Sequence, residues 1–91
     1  MDGNIKLGIV GFGYTGQQHA RIVKEIEGVS LVAVAESDFQ KRACADVQAR
    51  ADYRFILDDS SIDAVSICLP HFLHEEAATA ALAAGKHVLI E

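Results

Sequence analysis

The residues of this chain whose type and spacing can do chemistry stand at the end of an apolar run, Leu7-Gly8-Ile9-Val10, where glycines follow at positions 11, 13 and 16. A strand running into G-x-G-x-x-G and then into a helix gives each glycine its own task. Gly11 makes the tight turn off the strand, Gly13 lets backbone approach an anion, and Gly16 lets the helix pack close to the sheet. The helix start adds free N–H groups and the positive end of its dipole, so an anion site is made from backbone alone. Phe12, Tyr14 and Thr15 fill the intervening loop positions and belong to the same candidate site. A chance match in an unrelated turn is the competing reading in a chain with seven glycines.

Context separates these two readings. A phosphate loop of this kind requires an acid about 20 residues on, at the end of a second strand, to accept hydrogen bonds from a ribose. Glu36 closes Leu31-Val32-Ala33-Val34-Ala35 at that spacing, and Ser37 follows it. Together they predict a dinucleotide site, with a solvated strand-end acid as the alternative for Glu36. Lys41 and Arg42 either lie over the adenine or form a solvated first helical turn.

The elements that must position these groups follow from periodicity. A helix is predicted over Gln17 to Ile26, with His19, Ile22, Val23 and Ile26 inward at i, i+3, i+4 and i+7, and Gly28 as its C-terminal cap. The run Val29 to Ala35 is almost wholly apolar, as in a parallel sheet covered on both faces. Asp38 then caps a predicted helix from Phe39 to Ala51, with Ala43, Cys44, Val47 and Ala51 inward. Tyr53 to Leu57 fits either a short edge strand or a short helix. Ile62 to Leu69 reads as a buried parallel strand stopped by Pro70, Leu73 to Ala84 as a helix, and His87 to Ile90 as the last strand. Strand and helix in alternation predict an α/β fold, a doubly wound, mostly parallel sheet in three layers.

Composition bounds the rest. Ninety-one residues make one domain, 51% hydrophobic and 23% charged, the balance of an ordinary globular chain. No run reaches the ~18 apolar residues of a membrane span, and Met1-Asp2-Gly3 does not begin a secretory leader, so a cytoplasmic protein is expected. A net charge of −5 with scattered Lys and Arg argues against a nucleic-acid partner. Cys44 and Cys68 read as small core residues of a reducing compartment. The histidines and cysteines share no metal-ligand spacing.

The residues resemble one known family, the N-terminal, NAD(P)-binding Rossmann domain of the Gfo/Idh/MocA oxidoreductases, over nearly the whole chain. The resemblance lies in Leu7 to Gly16 with His19-Ala20, Leu31 to Glu36, Asp52-Tyr53, Ile62-Asp63-Ala64-Val65, Pro70 with His74, and Ala84-Gly85-Lys86-His87-Val88-Leu89-Ile90-Glu91. It implies a dinucleotide cofactor, NAD with NADP possible. It places Leu69, Pro70 and His71 along the adenosine and the start of the nicotinamide half, His74 at a helix start near the cofactor, and Glu91 beside the nicotinamide end. His71 departs from the family, which has Asn or a small residue there. His74 fits a helix N-terminal hydrogen bond equally well, Glu91 fits an untethered terminal acid, and His19 and His87 read as structural.

Two further departures carry expectations. Gln48 to Ala51 looks shortened, so the family's short third strand is expected to be missing and Tyr53 to Leu57 to be helical. The family's Lys-Pro and its second domain, which hold the proton-handling lysine and histidine, match nothing in residues 1–91. The expected function is therefore the cofactor half of an oxidoreductase acting on a sugar, cyclitol or similar hydroxyl compound, with no catalytic residue of its own. The alternative from another class is a truncated or engineered module for folding or assembly. The chain is expected to self-associate through an uncovered edge at His87 to Glu91.

Overall fold

The computed structural model describes residues 4–90. Five strands form one sheet in the order β3-β2-β1-β4-β5: β1 (Ile5–Val10), β2 (Val29–Ala35), β3 (Gln48–Arg50), β4 (Ala64–Ile67) and β5 (His87–Ile90). Every neighbouring pair is parallel. The helices are α1 (Tyr14–Val23), α2 (Phe39–Arg42), α3 (Arg54–Leu57) and α4 (His74–Ala83), the last preceded by a 3-10 turn over His71–Leu73. The predicted doubly wound α/β architecture is therefore the observed one.

Strand alternation sorts the core into two layers. Leu7, Ile9 and Val34 meet Phe12, Ala20 and Val23 on the face under α1. Val10, Ala33, Ala35, Val65 and Ile67 meet Ile56 of α3 and Ala77, Ala78 and Ala81 of α4 on the other face. Ile56 is fully buried against β1, where Gly8 leaves room for it: a Cβ at Gly8 would stand 2.8 Å from Ile56 Cγ2. The alanines of α4 serve the same end, since small side chains let helix and sheet approach.

Several expectations need correction. The first helix begins three residues earlier and ends three earlier than predicted, and its inward stripe is Gly16, Ala20 and Val23. Ile22 and Ile26 are about half exposed, at 58% and 47%. Gly28 has the left-handed backbone of a cap, φ 91°, but it turns the chain into β2, its carbonyl accepting from the Ile5 N–H, and does not end α1 directly. The predicted helix over 39–51 stops at Arg42, and the third strand expected to be missing is present as β3. Ala45, Val47 and Ala49, which fit a strand period as well as a helical one, pack against the α1-side core. The open edge of β2 decides between the two, because residues 33–35 gain parallel partners in residues 48–50.

Cys44, expected in the core, lies exposed after the shortened helix, and Cys68 is half-buried. The helical reading of Tyr53 to Leu57 holds for Arg54–Leu57. Lys86 is buried: its Nζ donates to the carbonyls of Asp59 and Ile62, each at 2.7 Å, and closes the loop before β4.

Candidate functional site

The sheet order reverses direction between β1 and β4, and the carboxyl ends of β1, β2 and β4 open there into a cleft of about 730 Å³. Open α/β sheets hold ligands at such a switch point, because the connections leaving adjacent strands diverge to opposite faces. Gly11, Gly13, Tyr14, Thr15, Glu36, Ser37, Leu69 and Pro70 line it together. These are eight of the thirteen predicted site residues.

The three glycines answer three different demands. Gly11 adopts φ +95°, the left-handed region, and a Cβ on it would lie 2.7 Å from the Cys68 carbonyl oxygen. A Cβ on Gly16 would overlap the Gly11 carbonyl oxygen, so α1 could not seat against the loop. Gly13 has an ordinary φ of −77°, and a Cβ there would meet only Lys41 Nζ, at 3.9 Å. The fold itself therefore makes no demand for glycine at position 13. A side chain there would project into the cleft above the start of α1, where Tyr14, Thr15 and Gly16 donate to no backbone carbonyl among the described residues. An open cradle with free N–H groups at a helix start fits a pyrophosphate.

Glu36 does more than the sequence reading assigned to it. Its Oε1 accepts from the Phe12 N–H at 2.6 Å and its Oε2 from the Asp38 N–H at 2.9 Å. Gln17 Nε2 donates to the Phe12 carbonyl at 2.9 Å, so the peptide groups of Phe12 are held on both sides. Each Glu36 oxygen keeps a lone pair for a ribose hydroxyl. Arg42 Nη1 donates to the carbonyls of Glu36 at 2.8 Å and Ser37 at 3.0 Å, which ties α2 to the end of β2. Asp38 caps α2 through the Gln40 and Lys41 N–H groups. Arg42 is thus used internally, whereas Lys41 faces the cleft.

The remaining predicted residues separate from this cleft. The Phe12 side chain is buried in the core below the loop, 4% exposed, and only its backbone belongs to the site. Gly16 acts from behind the loop. His71 and His74 line a smaller adjoining hollow of about 220 Å³ with Thr15, Cys68 and Leu69. His74 Nε2 lies 2.7 Å from the Leu69 carbonyl oxygen, the hydrogen-bonding alternative raised for it, and this bond braces the Leu69-Pro70 corner. Glu91 lies outside the described residues. Tyr53, Leu73 and Glu76 also line the cleft and were missed; Asp52-Tyr53 within the resemblance was the signal available for the first.

Comparison with known proteins agrees with this geometry. The family model described as "Oxidoreductase family, NAD-binding Rossmann fold" matches residues 5–91. An inositol 2-dehydrogenase of Saccharopolyspora erythraea is 38% identical over 96% of this chain and 28% of its own length. A scyllo-inositol dehydrogenase of Lactobacillus casei, solved with NAD(H) and scyllo-inositol, superposes with a TM-score of 0.86 at 31% identity, over 96% of this chain and 27% of that one. A biliverdin reductase of Synechocystis, solved with biliverdin and NADP+, superposes at 0.88 with 31% identity, over 94% and 28%. The chain thus spans little more than a quarter of the length of these relatives. A glycine cradle at the switch point, an acid at the end of β2 and a family match over nearly every residue lead to one statement: this chain belongs to the Gfo/Idh/MocA oxidoreductases, as their NAD-binding Rossmann domain.

Proposed function

We propose that this domain binds NAD(H) in preference to NADP(H) and serves as the cofactor half of a cytoplasmic dehydrogenase acting on a cyclitol, sugar or similar secondary alcohol. The observation that carries the reading is Gly13, whose missing side chain the fold does not need and a bound pyrophosphate would. A bound nicotinamide would supply the hydride-accepting chemistry for a carbinol carbon. The chain's own residues bind and orient it. The N–H groups at the start of α1 receive the pyrophosphate, Glu36 accepts from the ribose hydroxyls, and Leu69 and Pro70 border the path toward the nicotinamide.

Glu36 also supports the choice between cofactors. A 2′-phosphate would approach a carboxylate at close range, and like charges repel there. Lys41 at the cleft wall is the group that offsets part of this, so NADP is a weaker second ligand and not an excluded one. The cyclitol class rests on the inositol dehydrogenases among the relatives. We assign the proton step to polypeptide outside this sequence and no catalytic role to residues 1–91.

Calorimetric titration with NAD+, NADH, NADP+ and NADPH tests the reading. Measurable NAD(H) binding that is tighter than NADP(H) binding supports it. Absence of binding by all four favours the alternative of a folding or assembly module with a relic site, and equal or tighter NADPH binding overturns the cofactor preference.

A further inference from the structure

The cofactor reading leaves unused a thiol at the carboxyl end of β4. Ser66 and Cys68, two residues apart, both turn toward α1, where His19 meets them. His19 Nδ1 lies 2.7 Å from Ser66 Oγ and 3.5 Å from Cys68 Sγ, and the two β4-side groups are 3.6 Å apart. Ser66 is 2% exposed, while His19 and Cys68 are half-buried. Cys68 also forms a wall of the 220 Å³ hollow with Thr15, Leu69, His71 and His74. A small reagent in that hollow reaches a half-buried thiol whose hydroxyl and imidazole neighbours stand on its inner side.

Cys44, the second cysteine of the chain, has the opposite surroundings. It is exposed, and its Sγ faces the Gln40 carbonyl oxygen at 3.7 Å. Cys44 Sγ thus faces a group that only accepts, whereas Cys68 Sγ faces a hydroxyl and an imidazole, groups that can take up or relay a proton.

The backbone links this thiol to the cofactor cleft. The Cys68 N–H donates to the Val10 carbonyl at 2.7 Å, and the Cys68 carbonyl is the group against which Gly11 turns. Any displacement of Cys68 therefore moves Gly11 and Leu69, which both line the cleft.

We propose that Cys68 is a peroxide-sensitive thiol and that its oxidation weakens dinucleotide binding; the second part rests on the function proposed above. The thiol proton passes to His19 Nδ1, directly or through Ser66 Oγ. The sulfur attacks one oxygen of hydrogen peroxide, an S–O bond forms, the O–O bond breaks, and Cys68 becomes a sulfenic acid. The departing hydroxide takes the proton back from His19 and leaves as water. Sulfur is oxidised by two electrons and peroxide is reduced by two. The added oxygen enlarges a side chain that itself lines the cofactor cleft beside Gly11 and Leu69, and so takes space that the dinucleotide needs.

The test treats the wild-type chain with hydrogen peroxide in the presence of dimedone and follows both cysteine peptides by mass spectrometry. Trapping at Cys68 is expected to run several times faster than at Cys44, because Cys68 Sγ faces an imidazole that can take its proton and Cys44 Sγ faces a backbone carbonyl. Saturation with NAD+ is expected to slow Cys68 and leave Cys44 unchanged, and His19→Gln to remove the advantage of Cys68. If that variant does not fold, the wild-type ratio decides. Peroxide should lower NAD affinity in the wild type, while Cys68→Ser keeps whatever affinity it starts with. Trapping at Cys44 as fast as at Cys68 overturns the proposal. Full oxidation at Cys68 with unchanged NAD affinity overturns its second part. A chain that binds no dinucleotide at all removes the cofactor reading, while the ratio of the two cysteines still judges the reactive thiol.

Discussion

At the scale of single residues, three glycines of one motif carry different burdens, and this separates their predicted phenotypes. Gly16→Ala places a methyl group against the Gly11 carbonyl, and Gly11→Ala adds a left-handed φ to a similar collision. Each is expected to destabilise by about 2–3 kcal/mol, from overpacking and, at position 11, backbone strain. Gly13→Val faces neither cost, because its φ is ordinary and its Cβ position is open. It should melt within a few degrees of the wild type by circular dichroism and bind no dinucleotide by calorimetry; retained affinity would show that the loop is not the site. Glu36→Gln tests the double role of the acid. With a neutral amide in place of the carboxylate, the bonds to Phe12 and Asp38 weaken or are lost, so NAD affinity should fall about tenfold, the scale of one charge-assisted hydrogen bond. NADP affinity should fall less, since the repulsion of the 2′-phosphate is lost with the charge.

At the scale of elements, two polar ties hold the sheet's connections. Lys86 leaves water to donate to two loop carbonyls, and Lys86→Met would leave both without that partner. A loss of about 2–3 kcal/mol is expected in urea unfolding. Lys24 and Asp46 join the end of α1 to the turn before β3 at 2.6 Å. The hydrogen bond from Lys24, and then its charge, hold the Asp46 carboxyl below its ordinary value of 3.8. A carboxyl lowered in the folded state stabilises above that ordinary value, and the contribution disappears as pH falls through the lowered one. The melting-temperature difference between wild type and Asp46→Asn should therefore be constant near neutrality and vanish in acid. The pair is exposed, so the difference should be small.

At the scale of the whole molecule, one face of the sheet is incompletely covered. Ile5, Ile22, Ile26 and Leu89 are all about half exposed around a groove of about 810 Å³ between α1 and strands β1, β4 and β5. Among the described residues, strand β5 is an edge of the sheet, paired with β4 alone. An apolar face beside a free edge favours association. The 91-residue chain is expected to form a dimer or larger assembly by light scattering, and to show no NAD reduction with any polyol even where NAD binds. A clean monomer at high concentration, or turnover by this chain alone, would refute the respective claim.

By itself the sequence determined the fold class, the loop between β1 and α1 and the acid at position 36, because these rest on local rules: glycine where backbone needs room, apolar runs where strands are covered twice, and a fixed spacing between loop and acid. Tertiary structure decided the rest. Residues 43–51 fit both a helical and a strand period, and only the open edge of β2 selected the strand. Ile22 and Ile26 obey the helical spacing, yet α1 ends at Val23 and both stay about half exposed beside the apolar groove. The side chains of Glu36 and Lys86 found backbone partners 24 residues or more away along the chain. No periodicity encodes such contacts, because they exist only once the strands are assembled.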